Sequence, residues 1–139
     1  MGFGEAVKTC FSKYATFSGR ARRSEFWWFY LFTVLVAIVA AVIDSLLGFN
    51  VTQITGENGT LTTVDSGYPW AQTVAYLALL LPMISVSVRR LHDRDASGWW
   101  WWLSVLCCIG PLVLLFAFYV QPTKPGPNKY GPDPQGATV

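Results

Sequence analysis

Three apolar runs, separated by short polar connections, constrain what this chain of 139 residues can become. They cover Phe26–Leu47, Tyr68–Val88 and Trp99–Val120. Each is long enough for a helix of about 20 residues to cross a hydrocarbon layer. From Phe26 to Ile43 there are 18 uncharged residues in succession, more than the apolar core of a cleaved signal peptide needs, and they begin only after 25 residues. The first run therefore reads as a retained anchor. Hydrophobic residues make up 53% of the chain and charged residues 13%, about half the charge usual in a soluble domain. Little polar chain remains for a catalytic domain. A net charge of +2, with no basic stripe along a helix, argues against nucleic acid as a partner.

Charge sets the expected topology. Residues 1–25 hold five basic residues (Lys8, Lys13, Arg20, Arg22, Arg23) and residues 89–98 hold three (Arg89, Arg90, Arg94), whereas residues 48–67 hold none. Basic segments stay in the cytoplasm, so the N-terminus and the 89–98 connection go inside and 48–67 goes outside. Three crossings then put the tail outside. Six of the seven tryptophans, Trp27, Trp28 and Trp99 to Trp102, fall at the inner ends of the first and third runs, where indole rings favour the headgroup level. Gly110-Pro111 interrupts the third run, and a re-entrant hairpin is the competing form there. Its 22 apolar residues favour a kinked span.

The expected fold is an all-α integral membrane protein, a three-helix transmembrane bundle. Its parts are a cytoplasmic amphipathic and basic segment 1–25, spans 26–47, 68–88 and 99–120, an outer loop 48–67, a cytoplasmic loop 89–98 and a Pro/Gly-rich tail 121–139. Phe3, Val7, Cys10, Phe11 and Tyr14 recur at helical spacing, which makes an N-terminal amphipathic interfacial helix that lies on the inner leaflet or packs on its own bundle. Two Thr/Val-rich arms around Asn58-Gly59 suggest a small β-hairpin in the outer loop. The tail carries five of the eight prolines and reads as extended. Cys10, Cys107 and Cys108 lack disulfide or metal spacing and read as small packing residues.

Two charged clusters stand on the expected inner side. One is Arg20, Arg22, Arg23 and Glu25; the other is Arg89, Arg90, His92, Asp93, Arg94 and Asp95. Arg22, Arg23 and Glu25 facing Asp93, Asp95 and Arg89 would make an ionic clasp that orders the helices. The same arginines offer planar donors to an anion or a phospholipid headgroup. His92 is the only histidine, and with Asp93 and Asp95 it lacks any metal-ligand spacing. No catalytic residues, metal site or cofactor are assigned. Asp44 is the one ionisable side chain inside a run. Such carboxylates are functional candidates, although its place near the outer boundary also suits a helix-end hydrogen bond.

These pieces resemble DUF805, a bacterial inner-membrane family of unknown function. The resemblance rests on Gly19-Arg20-Ala21-Arg22-Arg23-Ser24-Glu25-Phe26-Trp27, Arg89-Arg90-Leu91-His92-Asp93, Ser97-Gly98-Trp99-Trp100 and the tail from Pro125 to Pro134. Asp44 with Leu46-Leu47-Gly48 fits as well. It implies a small helical inner-membrane protein and supplies no activity. The patterned tail invites docking through Asn128, Tyr130, Gly131 and Asp133, with turn-forming Asn128, Gly131 and Pro132 letting Tyr130 pack on the helix ends.

The function expected from sequence is non-enzymatic, exercised at the cytoplasmic Arg/Asp/His cluster through membrane lipids, other membrane proteins or a homo-oligomer. A small transporter or channel subunit, with Asp44 on its pathway, is the alternative. A membrane-embedded enzyme acting on lipid headgroups is the third reading.

Overall fold

The computed structural model describes residues 1–48, 52–57, 60–65, 67–106 and 109–136. The chain forms two compact units, Met1–Phe32 with Leu80–Val139, and Thr33–Leu79.

The first unit opens with α1, Phe3–Ser12. The Glu5 carboxylate accepts from the Gly2 amide at 3.3 Å and satisfies one of the orphan donors at the helix start. Ala6 and Cys10 are buried. Phe3 meets Trp28 edge-to-face at 5.9 Å, and Phe11 meets Phe29 and Phe32 at 5.9 and 5.8 Å. The apolar stripe therefore packs on the chain's own α2, the second of the two arrangements its periodicity allows. Beyond the helix end, the Ser85 hydroxyl lies 3.0 Å from the Lys13 carbonyl and 2.7 Å from that of Thr16.

Helices α2, Arg23–Leu46, and α3, Trp70–Asp93, have 24 residues each and are long and apolar enough to cross a membrane. α3 ends in a Schellman turn. Asp95 takes φ 63°, its amide donates to the His92 carbonyl, and the Ala96 amide donates to that of Leu91. Asp is among the few side chains that tolerate this left-handed conformation.

The third apolar run differs from the expectation. It forms no single spanning helix: a 3₁₀ helix, Gly98–Val105, is followed by α4, Ile109–Leu114, and a π-helical turn, Leu115–Tyr119. The two arms fold back on each other, because Trp100 near the start of the first meets Phe118 near the end of the second at 5.8 Å. Gly110 explains the reversal. A β-carbon there would stand 1.7 Å from the Leu103 carbonyl oxygen, so only glycine lets the arms approach this closely. The returning arm ends with Tyr119 stacked on Phe26 at 4.4 Å, beside the start of α2. Cys107 and Cys108 lie outside the described residues, while Cys10 is a buried free thiol.

The second unit holds the remainder of α2, the first turns of α3, and strands β1, Thr52–Glu57, and β2, Thr60–Asp65. The strands pair antiparallel, from Thr52 opposite Asp65 to Glu57 opposite Thr60. Asn58-Gly59, the turn expected from sequence, lies outside the described residues. Near the end of α2, Asp44 is completely buried. Its two carboxylate oxygens accept from the amides of Ala71 and Gln72, each at 2.9 Å. A side chain of α2 thus caps the first turn of α3, where the exposed amides and the helix dipole favour negative charge.

Candidate functional site

Most of the charged residues singled out in the sequence meet in the first unit, Glu25 with Arg89 as expected and Asp93 with other partners than expected. Arg20, Arg89, Arg90, Glu25, His92 and Asp93 are all buried. The Arg89 guanidinium pairs with Glu25 at 2.6 Å. Asp93 takes two cations, Arg20 at 2.9 Å on one oxygen and Arg90 on the other. Arg20, not Arg22 or Arg23, is therefore the partner that the segment before α2 sends to α3. The backbone turns it inward: Gly19 has φ 87°, and the Ala21 amide donates to the Arg89 carbonyl at 3.1 Å.

Several further guanidinium donors are met by main-chain carbonyls of the tail. Arg20 donates to Gly126 and Lys124, Arg90 to Gln121, Arg22 to Pro134, and Arg94 to Pro122. Arg23 reaches the Val120 carbonyl at 3.4 Å. A carbonyl accepts a guanidinium proton without adding charge, so the tail saturates donors while the cluster keeps its net positive sign. Arg89 Nε and Nη2 and Arg90 Nε have no hydrogen-bond partner among the described residues. That leaves Glu25 and Asp93 as the groups on which the buried cations depend.

The tail is folded rather than extended. Asn128 and Gly131 bridge through both of their backbone amides, at 3.1 and 3.0 Å, and the Asn128 side chain accepts from the Tyr130 amide. The Asp133 carboxylate accepts from the amides of Gly126 and Gln135 at 3.1 and 2.8 Å. Those amides, Gln135 foremost, hold its carboxyl below the usual range. Tyr130 lies flat on the His92 ring, with centroids 3.9 Å apart and planes at 4°, and Asn128 donates to the His92 carbonyl at 2.9 Å. His92 itself bonds through Nδ1 to the Gly19 carbonyl at 3.2 Å. Gly98 is needed beside it, since a β-carbon there would meet Val88 at 2.8 Å and His92 at 3.4 Å.

Tail and arginines thus form one polar layer, which corrects the expectation that the tail lies across the membrane from them. Asp95 is not part of the clasp either. It follows the end of α3, and its carboxylate lies 3.6 Å from exposed Lys124, a pair of little energetic consequence.

Sequence reasoning missed three contributors. Cys10 donates its thiol toward Glu25 at 3.8 Å, and its pKa is pushed up to about 12, first by burial and then by the Glu25 charge. Its place in the apolar stripe was a legible signal for burial. The tail carbonyls carry no side-chain signature at all, and Gly98 signals only a close approach of unknown partner. No group of three or more metal-ligating side chains occurs among the described residues.

A family model described as "Protein of unknown function (DUF805)" matches residues 14–132. The chain belongs to the DUF805 family. That match includes the arginine segment, the α3 terminus and the tail as far as Pro132, so the whole clasp apart from α1, Asp133 and Pro134 lies within the family region. Inner membrane protein YhaH of Escherichia coli (strain K12) is 38% identical over 122 residues, covering 88% of this chain and 89% of that protein. Inner membrane protein YhaI of the same strain is also 38% identical over 122 residues, covering 88% of each. No solved structure matches the chain.

Proposed function

We propose that this DUF805 protein is a multi-pass protein of the bacterial inner membrane, with its N-terminus in the cytoplasm. It works without catalysis, through contacts between a basic head and the anionic headgroups of the inner leaflet. The observation that carries this reading is the partition of charge. All ten Lys and Arg residues belong to the first unit, against five carboxylates, a net of +5. The second unit has Asp44, Glu57 and Asp65 and no basic residue. Such asymmetry orients spans with the basic side inward. Both E. coli relatives carry the name inner membrane protein, which supports the location.

Within the basic unit, Arg20, Arg89, Arg90, Glu25 and Asp93 face one another in the interior. The contact surface is therefore the rim. Lys8, Lys13, Arg23, Lys124 and Lys129 are exposed, and Arg22 and Arg94 are half-buried. Basic side chains beside an anionic leaflet contribute about 1 kcal/mol each. The buried cluster holds this rim in shape. The transport alternative required Asp44 on a pathway, whereas both of its oxygens are occupied at a helix start. His92 as a headgroup-processing acid or base is likewise disfavoured, with its ring covered by Tyr130.

The test is lipid retention. Nanodiscs of mixed phosphatidylglycerol and phosphatidylcholine, analysed by native mass spectrometry, should show preferential retention of the anionic lipid. Reversing Lys8, Lys13, Lys124 and Lys129 to Glu should abolish that preference while leaving the melting temperature within a few degrees. An unchanged preference refutes the lipid reading. Co-purification of a stoichiometric membrane protein, lost with the same reversals, would move the contact from lipid to protein.

A further inference from the structure

The arms 98–106 and 109–119 present an apolar exterior that the described residues leave largely uncovered. Trp99, Val105, Leu106, Ile109 and Phe116 are each more than three-fifths exposed, and no charged residue occurs between Gly98 and Val120. A surface of this kind is not left to water.

Its dimensions say what covers it. Eight residues of 3₁₀ helix rise about 16 Å, and the 11 residues of Ile109–Tyr119 rise about as much. Half of a hydrocarbon core is about 15 Å. Both feet of the hairpin stand at one level. Tyr119 stacks on Phe26 in the first turn of α2, and Gly98 sits against His92 in the last turn of α3. These are the helix ends that enter the membrane on the basic side. Trp99 to Trp102 occupy the foot of the first arm, where indole rings suit the headgroup level, and the exposed side chains toward the tip, Leu106 and Ile109, are aliphatic. The backbone suits the same depth. Gly110 donates to the Leu106 carbonyl at 3.3 Å, Leu106 donates to that of Leu103 at 3.0 Å, and Gly110 is itself buried. Irregular backbone at membrane depth requires such internal bonding.

We infer that Gly98–Tyr119 is a re-entrant insert in one leaflet, its exterior covered by lipid acyl chains, which returns the C-terminal tail to the same membrane face as the N-terminus. This rests on the multi-pass reading above, with α2 and α3 as its two spans, and adds to it the path of the third apolar segment. The tail then meets the arginines without crossing the bilayer, and the rim lysines of α1 and of the tail face one leaflet together.

The experiment uses the full chain with its cysteines replaced by alanine and single cysteines introduced at Lys8, Asp65, Ile109 or Gln135. Each is probed with a membrane-impermeant maleimide in spheroplasts and in inverted vesicles. Ile109→Cys also carries a bimane, for quenching by brominated phosphatidylglycerol and phosphatidylcholine. The expected result is labelling of Lys8→Cys and Gln135→Cys from the cytoplasmic face only and of Asp65→Cys from the opposite face. Ile109→Cys is expected to label from neither face, with its bimane quenched most by bromines deep in the acyl chain. Gln135→Cys labelled from the Asp65 side means a third full span and overturns the inference. So does aqueous labelling of Ile109→Cys. A bimane untouched by brominated lipid, in a chain that crosslinks to a second copy at Ile109→Cys, overturns it too, because a protein surface then covers the tip. Lys8→Cys and Asp65→Cys labelled from one face would strike the two-span reading itself, a failure that no Gln135 or Ile109 result mimics.

Discussion

Asp44 and Asp93 are both completely buried, yet they sit in opposite kinds of surroundings. Asp93 balances two guanidinium groups, Arg20 and Arg90, in the basic unit. Asp44 belongs to the unit with no basic residue and is held by two backbone amides at the start of α3. Full charges answer the first carboxylate, and partial charges of a helix terminus answer the second. Depth alone therefore does not identify a working carboxylate. What distinguishes the two is what would be stranded by their loss: two buried cations in one case, two amides in the other.

The comparison breaks most visibly at Asp93. Asp93→Ala leaves Arg20 and Arg90 buried without a counter-charge, and removing one partner of a buried pair costs about 3–5 kcal/mol. Folded yield in mild detergent and the urea midpoint should both fall sharply, with release of the tail. Asp44→Ala should cost only about 1–2 kcal/mol, the range for losing a capping carboxylate. Its signature is local, with faster hydrogen exchange at the Ala71 and Gln72 amides. An Asp44 variant as damaging as Asp93→Ala would return Asp44 to the list of functional carboxylates.

Between these extremes lies Glu25, which sharpens the comparison because it touches a cation and a thiol at once. Glu25→Gln keeps the shape but strands the Arg89 charge, at a cost of about 3 kcal/mol. The sign at Cys10 follows from its surroundings. Burial and the Glu25 charge both disfavour the thiolate, whereas Arg89 favours it. Loss of the Glu25 charge should bring the thiol pKa down from about 12, toward but not to its ordinary value, because burial persists. Alkylation of Cys10 in the folded protein should begin at lower pH in Glu25→Gln than in the parent. Identical pH profiles would mean that burial alone sets the thiol.

Much of this was legible in the sequence, and the gaps have physical causes. α2 and α3 follow from uninterrupted apolar length, a property that needs no partner to be recognised. The run 99–120 passes the same test by composition, but hydropathy is blind to chain direction, and the reversal rests on a close contact between Gly110 and a carbonyl seven residues earlier. Charge clustering in the sequence points to largely the right residues, with Glu25 facing Arg89. The choice of Arg20 over Arg22 depends on the left-handed Gly19 and a backbone bond from Ala21, which spacing cannot reveal. Asp44 at a helix end was among the sequence readings. The tail's sequence reads both as extended and as a docking segment. Its turns at Asn128 and Gly131 have sequence signatures, whereas its use of main-chain carbonyls as arginine acceptors has none.

Smaller effects belong to the tail itself. Tyr130→Ala removes the ring stacked on His92 and should cost about 0.5–1.5 kcal/mol, whereas Tyr130→Phe keeps the stack and should be near neutral. Limited proteolysis of the tail separates them: faster cleavage in both would assign the role to the hydroxyl instead.

Acid gives the gentlest probe, through Asp133. This carboxylate is half-buried, and like Asp44 it is held by backbone amides, those of Gln135 and Gly126. Its folded pKa lies below the ordinary value near about 3.9, so the ionised form is the one the folded tail prefers. The resulting stabilisation is fully present above that ordinary value and is lost as pH falls through the depressed one. Cleavage of the tail by an acid-tolerant protease should therefore rise below about pH 4 in the parent chain. Asp133→Asn cannot accept from both amides as a carboxylate does. It should show a looser tail at neutral pH and a weaker acid step. If the parent and Asp133→Asn release the tail over the same acid range, the buried Asp93, whose carboxyl burial raises above its ordinary value, governs release rather than the half-buried tail carboxylate, and the division between tail and cluster fails at that point.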